Sequence, residues 1–161
     1  MVIRDDAYVA GLNQRRAMFG PAGAEKVVDV TTDLNDKLED FVTRETFGDL
    51  WQRPGLSLKD RSKVTFAMLV ATGRAHELRV HARGAIANGV SPIELREIVL
   101  HALHYCGIPA AVGGTQGLKE VFADLGIGPD LDGEAERSRA AKTKKSEKKS
   151  DKKSDKKKSK K

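Results

Sequence analysis

Hydrophobic residues recur at intervals of three and four along most of the first 125 positions, a spacing typical of amphipathic α-helices. The first such segment, residues 4 to 19, carries its pattern at Tyr8, Leu12, Arg15 and Phe19. Gly20-Pro21 predicts the end of this helix. A second segment covers residues 33 to 46, with Asp33 as the expected N-cap.

A mostly apolar run lies near the middle of the chain, from Val64 to Ala71, with Thr65 as its one polar residue. Ser57, with Asp60 three residues later, predicts a helix start ahead of this run, and Gly73 predicts its end. A run that is apolar on almost all sides indicates a buried helix, which we expect to be the central one. A β-strand is the alternative, because short apolar runs occur in both elements.

Two further helices are predicted from strong boundary signals. The first spans Arg74 to Asn88 and is ended by Gly89. Ser91-Pro92-Ile93-Glu94 then combines an N-cap, a proline at the first helical position and a glutamate at the third. The apolar stripe of this second helix is Leu95, Ile98, Val99, Ala102, Leu103 and Cys106.

A last helix is expected from about residue 110 to 125, with glycines at 113, 114 and 117 that we expect to permit close helix contact at a subunit interface. The patterns therefore predict an all-α protein, a compact bundle of about six helices joined by short loops.

The composition changes beyond Gly128 to Lys, Ser, Asp and Glu. Because such a segment has too little apolar surface to offset the entropy of ordering, we predict a helical domain over 1–128 and a disordered lysine-rich tail over 129–161. From residue 130 onward there are 14 Lys and Arg against 7 Asp and Glu, of totals of 29 and 23, which leaves 15 and 16 before it. The basic charge thus belongs to the tail, and it does not indicate nucleic-acid binding by the helical part.

The chain contains one cysteine, Cys106, so an internal disulfide and a CxxC redox pair are excluded. We expect it to be a small buried side chain, since it falls on an apolar stripe. No apolar run reaches the length that crosses a bilayer, and the N-terminus resembles no signal peptide, so we expect a cytoplasmic protein without a membrane contact.

Glu77 and His81 are the residues most suited to chemistry, because four-residue spacing makes them neighbours on one helix. On a helical wheel Leu78, Ala82 and Ala85 form the buried stripe, and the Glu-His pair borders it. Spacing alone leaves two interpretations open. The pair is either a structural or solvated face of the helix, or a carboxylate that orients an imidazole for acid–base work.

Two motifs around this pair, ELRVHARGAIANGVSPIEL and YCGIPAA, resemble the carboxymuconolactone decarboxylase family. The resemblance covers about residues 45 to 125. It implies a helical domain of the alkyl hydroperoxidase D-like type that forms dimers, trimers or hexamers. It also implies the decarboxylation of a lactone carboxylate, 4-carboxymuconolactone, to 3-oxoadipate enol-lactone in protocatechuate breakdown by the β-ketoadipate route.

A related branch, the alkyl hydroperoxidase D-like proteins, carries a CxxC pair before the matching histidine. Here Arg74 and Glu77 stand where the two thiols would be. Because reversible disulfide chemistry requires both thiols, peroxidase activity is not expected.

The implied reaction needs no cofactor, because electrons left by CO₂ can flow through the conjugated lactone onto its carbonyl oxygen. The hypothesis makes His81 the proton donor, or the hydrogen-bond donor to the lactone oxygen, with Glu77 fixing its tautomer. Arg61 is the expected ligand of a substrate carboxylate, because guanidinium binds carboxylate through a bidentate fork. The remaining candidates for the pocket are Arg53 and Arg74 for the second carboxylate, and Tyr105 and His101.

No metal site is expected, since no HExxH or paired-histidine spacing appears. The alternative function is a non-catalytic helical oligomer whose basic tail binds nucleic acid or another polyanion. Such binding would be non-specific and would weaken steeply with salt.

Overall fold

The computed structural model describes residues 5–131 and 133 of the chain. Within these residues the chain forms seven α-helices, which are α1 (Asp6–Phe19), α2 (Glu25–Asp29), α3 (Asp36–Phe41), α4 (Leu58–Thr72), α5 (Ala75–Ala87), α6 (Pro92–Cys106) and α7 (Ile108–Asp124). Short 3-10 turns occupy Gly20–Gly23 and Leu50–Gln52, and a π-helix, Val42–Asp49, continues α3. The described part contains no strand, so the all-α prediction is confirmed.

Local capping explains most of these boundaries. The side chain of Ser57 accepts a hydrogen bond from the backbone of Asp60 at the start of α4, as the sequence predicts. Ser91 and Glu94 form a reciprocal capping box ahead of α6. Gly73 ends α4 with φ 66°, and Gly89 follows α5 with φ 86°, values that glycine adopts without steric cost.

The main core lies between the last four helices, α4 to α7. Its fully buried side chains include Phe66 of α4, Leu78 of α5, Leu95 of α6 and Val121 of α7. The predicted stripe of Leu78, Ala82 and Ala85 is buried as expected. Burial of this continuous apolar surface is the principal force that holds the four helices together.

Two glycines of α7 pack within this core. The prediction that they permit helix contact at a subunit interface is therefore wrong for these two. A Cβ on Gly114 would lie 3.0 Å from Val99 Cγ2, and a Cβ on Gly117 would lie 2.5 Å from Leu78 Cδ2. Both glycines therefore allow α7 to approach α5 and α6 within the same chain. Gly113 has open space around its Cβ position.

A smaller cluster joins the N-terminal elements, with Met18, Phe47 and Trp51 buried and Phe19 and Val42 packed against them. Helix α1 and the π-helix approach closely because Gly11 and Gly48 lack side chains. A Cβ on Gly11 would collide with the carbonyl oxygen of Thr43, and one on Gly48 would collide with that of Ala7. The π-helix is thus held directly against α1.

The predicted cap at Asp33 is wrong. Helix α3 begins after Asn35, which makes no side-chain cap, because its Oδ1 accepts a hydrogen bond from the backbone of Thr32 at 2.8 Å. The apolar positions Leu34 and Leu38 of this segment face outward in the single chain. Hydrophobic spacing correctly predicted a helix in this segment. Its first residue is determined by the turn between Thr32 and Asn35, which the spacing does not indicate.

Helix α4 is not buried on all sides, and in this respect the prediction of a central helix is wrong. Phe66 and Val70 are buried, whereas Val64 and Met68 are exposed on the opposite side. Cys106 at the end of α6 is also exposed, contrary to the prediction. An apolar stripe marks positions that favour burial, and within this chain only part of that apolar surface is covered.

The helices belong to one compact unit that ends at Gly126, and a second unit begins at Ile127. The predicted disordered tail, 129–161, lies outside the described residues except for 129–131 and 133. None of the helices in the described ranges is both long enough and apolar enough to cross a membrane.

Candidate functional site

A cleft of about 890 Å³ opens between the N-terminal elements and α5. We call it the His81 cleft. Its floor is mostly apolar and aromatic, and its polar groups are three guanidiniums and two imidazoles. The lining residues are Arg15, Arg16, Ala17, Met18, Phe19, Gly20, Ala22, Gly23, Val27, Val42, Phe47, His76, Val80, His81, Arg83, Ile86, Ala87 and Leu125.

His81 projects into this cleft from the flank of α5, beside the buried stripe of that helix. Its ring meets the edge of Phe19 at a centroid distance of 5.4 Å and an interplanar angle of 85°. Gly84, one turn later, leaves room for this contact, because a Cβ there would lie 2.5 Å from Phe19 Cε1. The absence of a side chain at residue 84 thus brings the aromatic ring against the imidazole.

Burial lowers the pKa of His81 from its ordinary value of 6.5, and the negative charge of Glu77 acts weakly in the opposite direction. The imidazole is therefore neutral at neutral pH. A neutral imidazole offers one N–H donor and one acceptor nitrogen. Of these two influences on the pKa of His81, burial is the larger.

Arg15 lies on the opposite wall and is almost fully buried. Its Nε donates to the carbonyl oxygen of Gly23 at 2.6 Å, and Nη1 donates to Thr43 Oγ1 at 2.8 Å and to Glu39 Oε2 at 3.0 Å. The guanidinium also lies 5.5 Å from the centroid of the Phe47 ring. These contacts connect α1 with the first 3-10 turn, α3 and the π-helix.

Two other arginines contribute to the positive charge of the cleft. Arg16 forms an ion pair with Glu25 at 2.6 Å, and Arg83 forms one with Asp124. Both pairs are partly exposed, so water and salt weaken them. An anion that enters the cleft therefore meets positive groups whose counter-ions are held loosely, with the exception of Arg15.

Of the residues that the sequence nominated, only His81 lines this cleft. Glu77 on α5 and Arg74 just before that helix are exposed, and neither lines the cleft. Arg61 lies in the first turns of α4, where Nη2 donates to the carbonyl oxygen of Arg53 at 3.2 Å. Its Nε is buried and has no hydrogen-bond partner among the described residues. The structure does not bring Arg61 to His81.

His101 and Tyr105 occupy a different place, the surface of α6. Their rings stack at a centroid distance of 4.6 Å, and both are exposed. They line a second, more open cavity of about 560 Å³, which we call the α4–α6 groove. Its lining residues are Ala67, Met68, Ala71, Glu97, Ile98, His101, Ala102, Tyr105 and Cys106.

Sequence reasoning missed Arg15, Phe19 and Phe47 as site residues. Arg15 and Phe19 were read only as parts of the α1 helical pattern, and Phe47 lies beyond the predicted end of its segment. One signal was available, since an arginine at an inward position of an amphipathic helix requires buried partners. Nothing local indicated that these partners would leave the arginine at the wall of a cleft.

No group of three or more His, Cys, Asp or Glu side chains within residues 5–131 and 133 is placed to hold a metal ion. The cleft instead combines a neutral imidazole, an aromatic floor and a cationic wall. Such a site suits an organic anion that develops charge on an oxygen during its reaction.

Comparison with known proteins agrees with the resemblance. The model of the carboxymuconolactone decarboxylase family matches residues 36–120. A 4-carboxymuconolactone decarboxylase of Acinetobacter baylyi is 39% identical over 126 residues, which cover 78% of this chain and 94% of that protein. A nitrosuccinic acid decarboxylase of Metarhizium robertsii is 37% identical over 102 residues, which cover 63% of this chain and 71% of that protein. The chain therefore belongs to the carboxymuconolactone decarboxylase family and is an enzyme of the carboxy-lyase class.

Proposed function

We propose that the protein converts 4-carboxymuconolactone to 3-oxoadipate enol-lactone and CO₂ in protocatechuate breakdown, with the His81 cleft as the active site. The similarity to the Acinetobacter enzyme, over nearly all of that enzyme's length, supports this substrate. The observation that carries the assignment of the site is the neutral imidazole of His81 in an aromatic, cationic cleft.

The reaction breaks one carbon–carbon bond and requires one proton. As CO₂ leaves, the electron pair of that bond moves through the conjugated lactone to the carbonyl oxygen. The resulting enolate then takes up a proton on carbon, supplied in net terms by the solvent. The substrate thus provides its own electron sink, and the enzyme must stabilise the oxygen on which charge develops.

His81 is suited to this task as a hydrogen-bond donor to the lactone oxygen. A neutral imidazole donates one N–H without a standing positive charge, so its interaction strengthens as negative charge develops in the transition state. The Phe19 ring at its edge excludes water, and a drier surrounding strengthens the interaction further. Glu77, outside the cleft, acts on the imidazole through its charge.

The direct test measures loss of 4-carboxymuconolactone and release of CO₂ by the purified protein and by His81→Ala. We expect kcat to fall by about 10²- to 10³-fold, as is typical when an oxyanion donor is removed. His104→Ala is the matched control, because His104 is an exposed histidine on α6 that does not line the cleft. Equal rates for His81→Ala and the wild type would refute the assignment of the site, and an inactive wild type would refute the substrate.

We also propose that the protein is a homo-oligomer that covers the α4–α6 groove. Met68 and Tyr105 in this groove are 61% and 77% exposed in the single chain, and Ile108 and Val112 at the start of α7 are similarly exposed. Large exposed apolar surfaces on a folded domain are typical of protein–protein contacts. In such an assembly His101, Tyr105 and Cys106 belong to the contact and not to the catalytic cleft.

A further inference from the structure

One nitrogen of the Arg15 guanidinium, Nη2, makes no hydrogen bond to the described residues. Within the described part of the chain, Nε and Nη1 of its guanidinium make all of its hydrogen bonds, to Gly23, Thr43 and Glu39. Nη2 is not fully buried, since the fully buried side-chain nitrogens without a partner in this part of the chain are Gln14 Nε2 and Arg61 Nε. Arg15 lines the His81 cleft and its other two nitrogens are engaged, so Nη2 is the nitrogen left to bind a ligand there.

We propose that Arg15 binds, through Nη2, the carboxylate that the substrate retains after CO₂ has left. This inference rests on the proposed function, and it names the part of the cleft that recognises the substrate. Arg15 is held in place at three nitrogen–oxygen contacts and by the ring of Phe47. A preorganised guanidinium loses little conformational entropy on binding a carboxylate, and its charge makes the hydrogen bond strong.

The retained carboxylate is the appropriate partner on energetic grounds. The departing carboxylate loses its charge in the transition state, so a guanidinium bound to it would stabilise the ground state and slow the reaction. A carboxylate that stays charged gains the same stabilisation in both states, and its binding serves to position the substrate. The lactone would then lie over Phe47 and Phe19, which link Arg15 to His81 through contacts of 5.4 to 5.8 Å.

Glu39 is the residue expected to modulate the affinity of Arg15 for the substrate carboxylate. It forms an ion pair with Nη1 of Arg15 at 3.0 Å and is one-quarter exposed. Its negative charge weakens the attraction of the guanidinium for an incoming anion. Removal of that charge should therefore strengthen binding, whereas a purely structural ion pair would give no such gain.

Arg44 provides a matched control from the same part of the fold. It too connects N-terminal elements, through ion pairs with Asp5 and Asp40, and its guanidinium lies 5.8 Å from the ring of Tyr8. It does not line the His81 cleft. Arg44→Lys and Arg15→Lys therefore perturb similar helix contacts, and only the second removes a group from the cleft.

The experiment measures kcat and KM for 4-carboxymuconolactone in the wild type, Arg15→Lys, Arg44→Lys and Glu39→Gln. We expect Arg15→Lys to raise KM by about 10- to 100-fold with a smaller change in kcat, because uniform binding is lost. Arg44→Lys should retain the wild-type KM. Glu39→Gln should lower KM by about two- to fivefold, and it tests the anchor even if Arg15→Lys fails to fold. An unchanged KM in Arg15→Lys, or an unchanged or raised KM in Glu39→Gln, would overturn the proposal.

Binding measured by calorimetry separates this proposal from the proposed function. The dissociation constant of 4-carboxymuconolactone is determined for His81→Ala with Arg15 and for His81→Ala with Arg15→Lys. Arg15-dependent binding without turnover by the wild type would refute the decarboxylation of this substrate and support the anchor. Turnover by the wild type with binding that does not depend on Arg15 would support the decarboxylation and refute the binding role of Arg15. If the wild type shows no turnover and binding does not depend on Arg15, both proposals are refuted.

Discussion

The edge of the Phe19 ring meets the imidazole of His81 at a centroid distance of 5.4 Å, although the two residues are 62 positions apart in the chain. This contact shields the imidazole from water, and burial is the largest cause of its lowered pKa. The N-terminal helix therefore contributes to the burial that lowers the pKa of a residue on α5. A histidine that the sequence presents as half of a Glu-His pair is governed more by an aromatic neighbour.

The first prediction concerns the pH dependence of catalysis. The proposed role makes the neutral imidazole of His81 the active form, and its pKa is lowered, so kcat/KM should be constant through neutral pH. It should fall only as the pH drops through the pKa of the folded protein, below 6.5. Phe19→Ala should move this acid limb to higher pH by exposing the ring, and Glu77→Gln should move it to lower pH.

The opposite directions of these two shifts distinguish a change in the pKa of His81 from a general loss of stability. A general loss of stability would not displace the limb in opposite senses, so thermal melting of both variants at pH 7 is the control. An acid limb above pH 6.5 in the wild type would contradict the neutral-imidazole assignment. So would a limb that neither variant moves.

The second prediction concerns the capping box of α6. The backbone of Ser91, together with Lys59 and Lys63, lowers the pKa of Glu94 to about 2 from 4.5. A lowered carboxyl pKa contributes stability that is present above the unfolded value and is lost as the pH falls through the folded one. Glu94→Gln should cost about 0.5–1.5 kcal/mol at neutral pH, and the difference from wild type should shrink below pH 4.5 and vanish near pH 2.

Thermal melts between pH 2 and 7 measure this difference. The control is Glu120→Gln, which removes an exposed carboxylate of α7 paired with Arg79 at 3.4 Å. Its effect on stability should stay within about 0.5 kcal/mol, as is usual for surface substitutions. A Glu94→Gln penalty that is independent of pH would show that charge is not the cause.

The third prediction concerns two glycines with opposite surroundings. Gly11→Ala should destabilise the fold by about 1–3 kcal/mol or more, because the new Cβ would collide with the Thr43 carbonyl oxygen, a backbone atom that cannot rotate away. Gly113→Ala adds its Cβ to open space within α7 and should stabilise by up to about 1 kcal/mol. Urea unfolding of both variants decides the matter, and equal effects would contradict the close approach of α1 and the π-helix.

The fourth prediction concerns the α4–α6 groove as a contact between copies. Met68→Glu places a charge on this exposed apolar surface and should yield a smaller species by analytical ultracentrifugation, because an unpaired charge in a contact is costly. Lys119→Glu, on an exposed position of α7 outside the groove, is the control and should keep the wild-type mass. If Met68→Glu also keeps that mass, the groove is not the contact.

The sequence by itself determined the helical class, the boundaries of α4 to α7 and the family. These features depend on local signals, such as the Ser91–Glu94 capping box, and on hydrophobic spacing within single helices. The buried stripe of α5 was predictable for the same reason. His81 could be nominated from the sequence because it borders that stripe.

Only the tertiary structure decided which residues meet His81. Arg61, Tyr105 and His101 had suitable chemistry, yet the packing of α4 and α6 places them elsewhere, whereas Arg15 and Phe19 arrive from α1. That arrival depends on Gly11, Gly48 and Gly84, where missing side chains let backbones and rings approach. Helical periodicity indicates which side of a helix is buried, but long-range packing determines which residues of other helices contact that side. The packing of Phe19 against His81 adds to the burial of the imidazole, and burial is the largest cause of its lowered pKa.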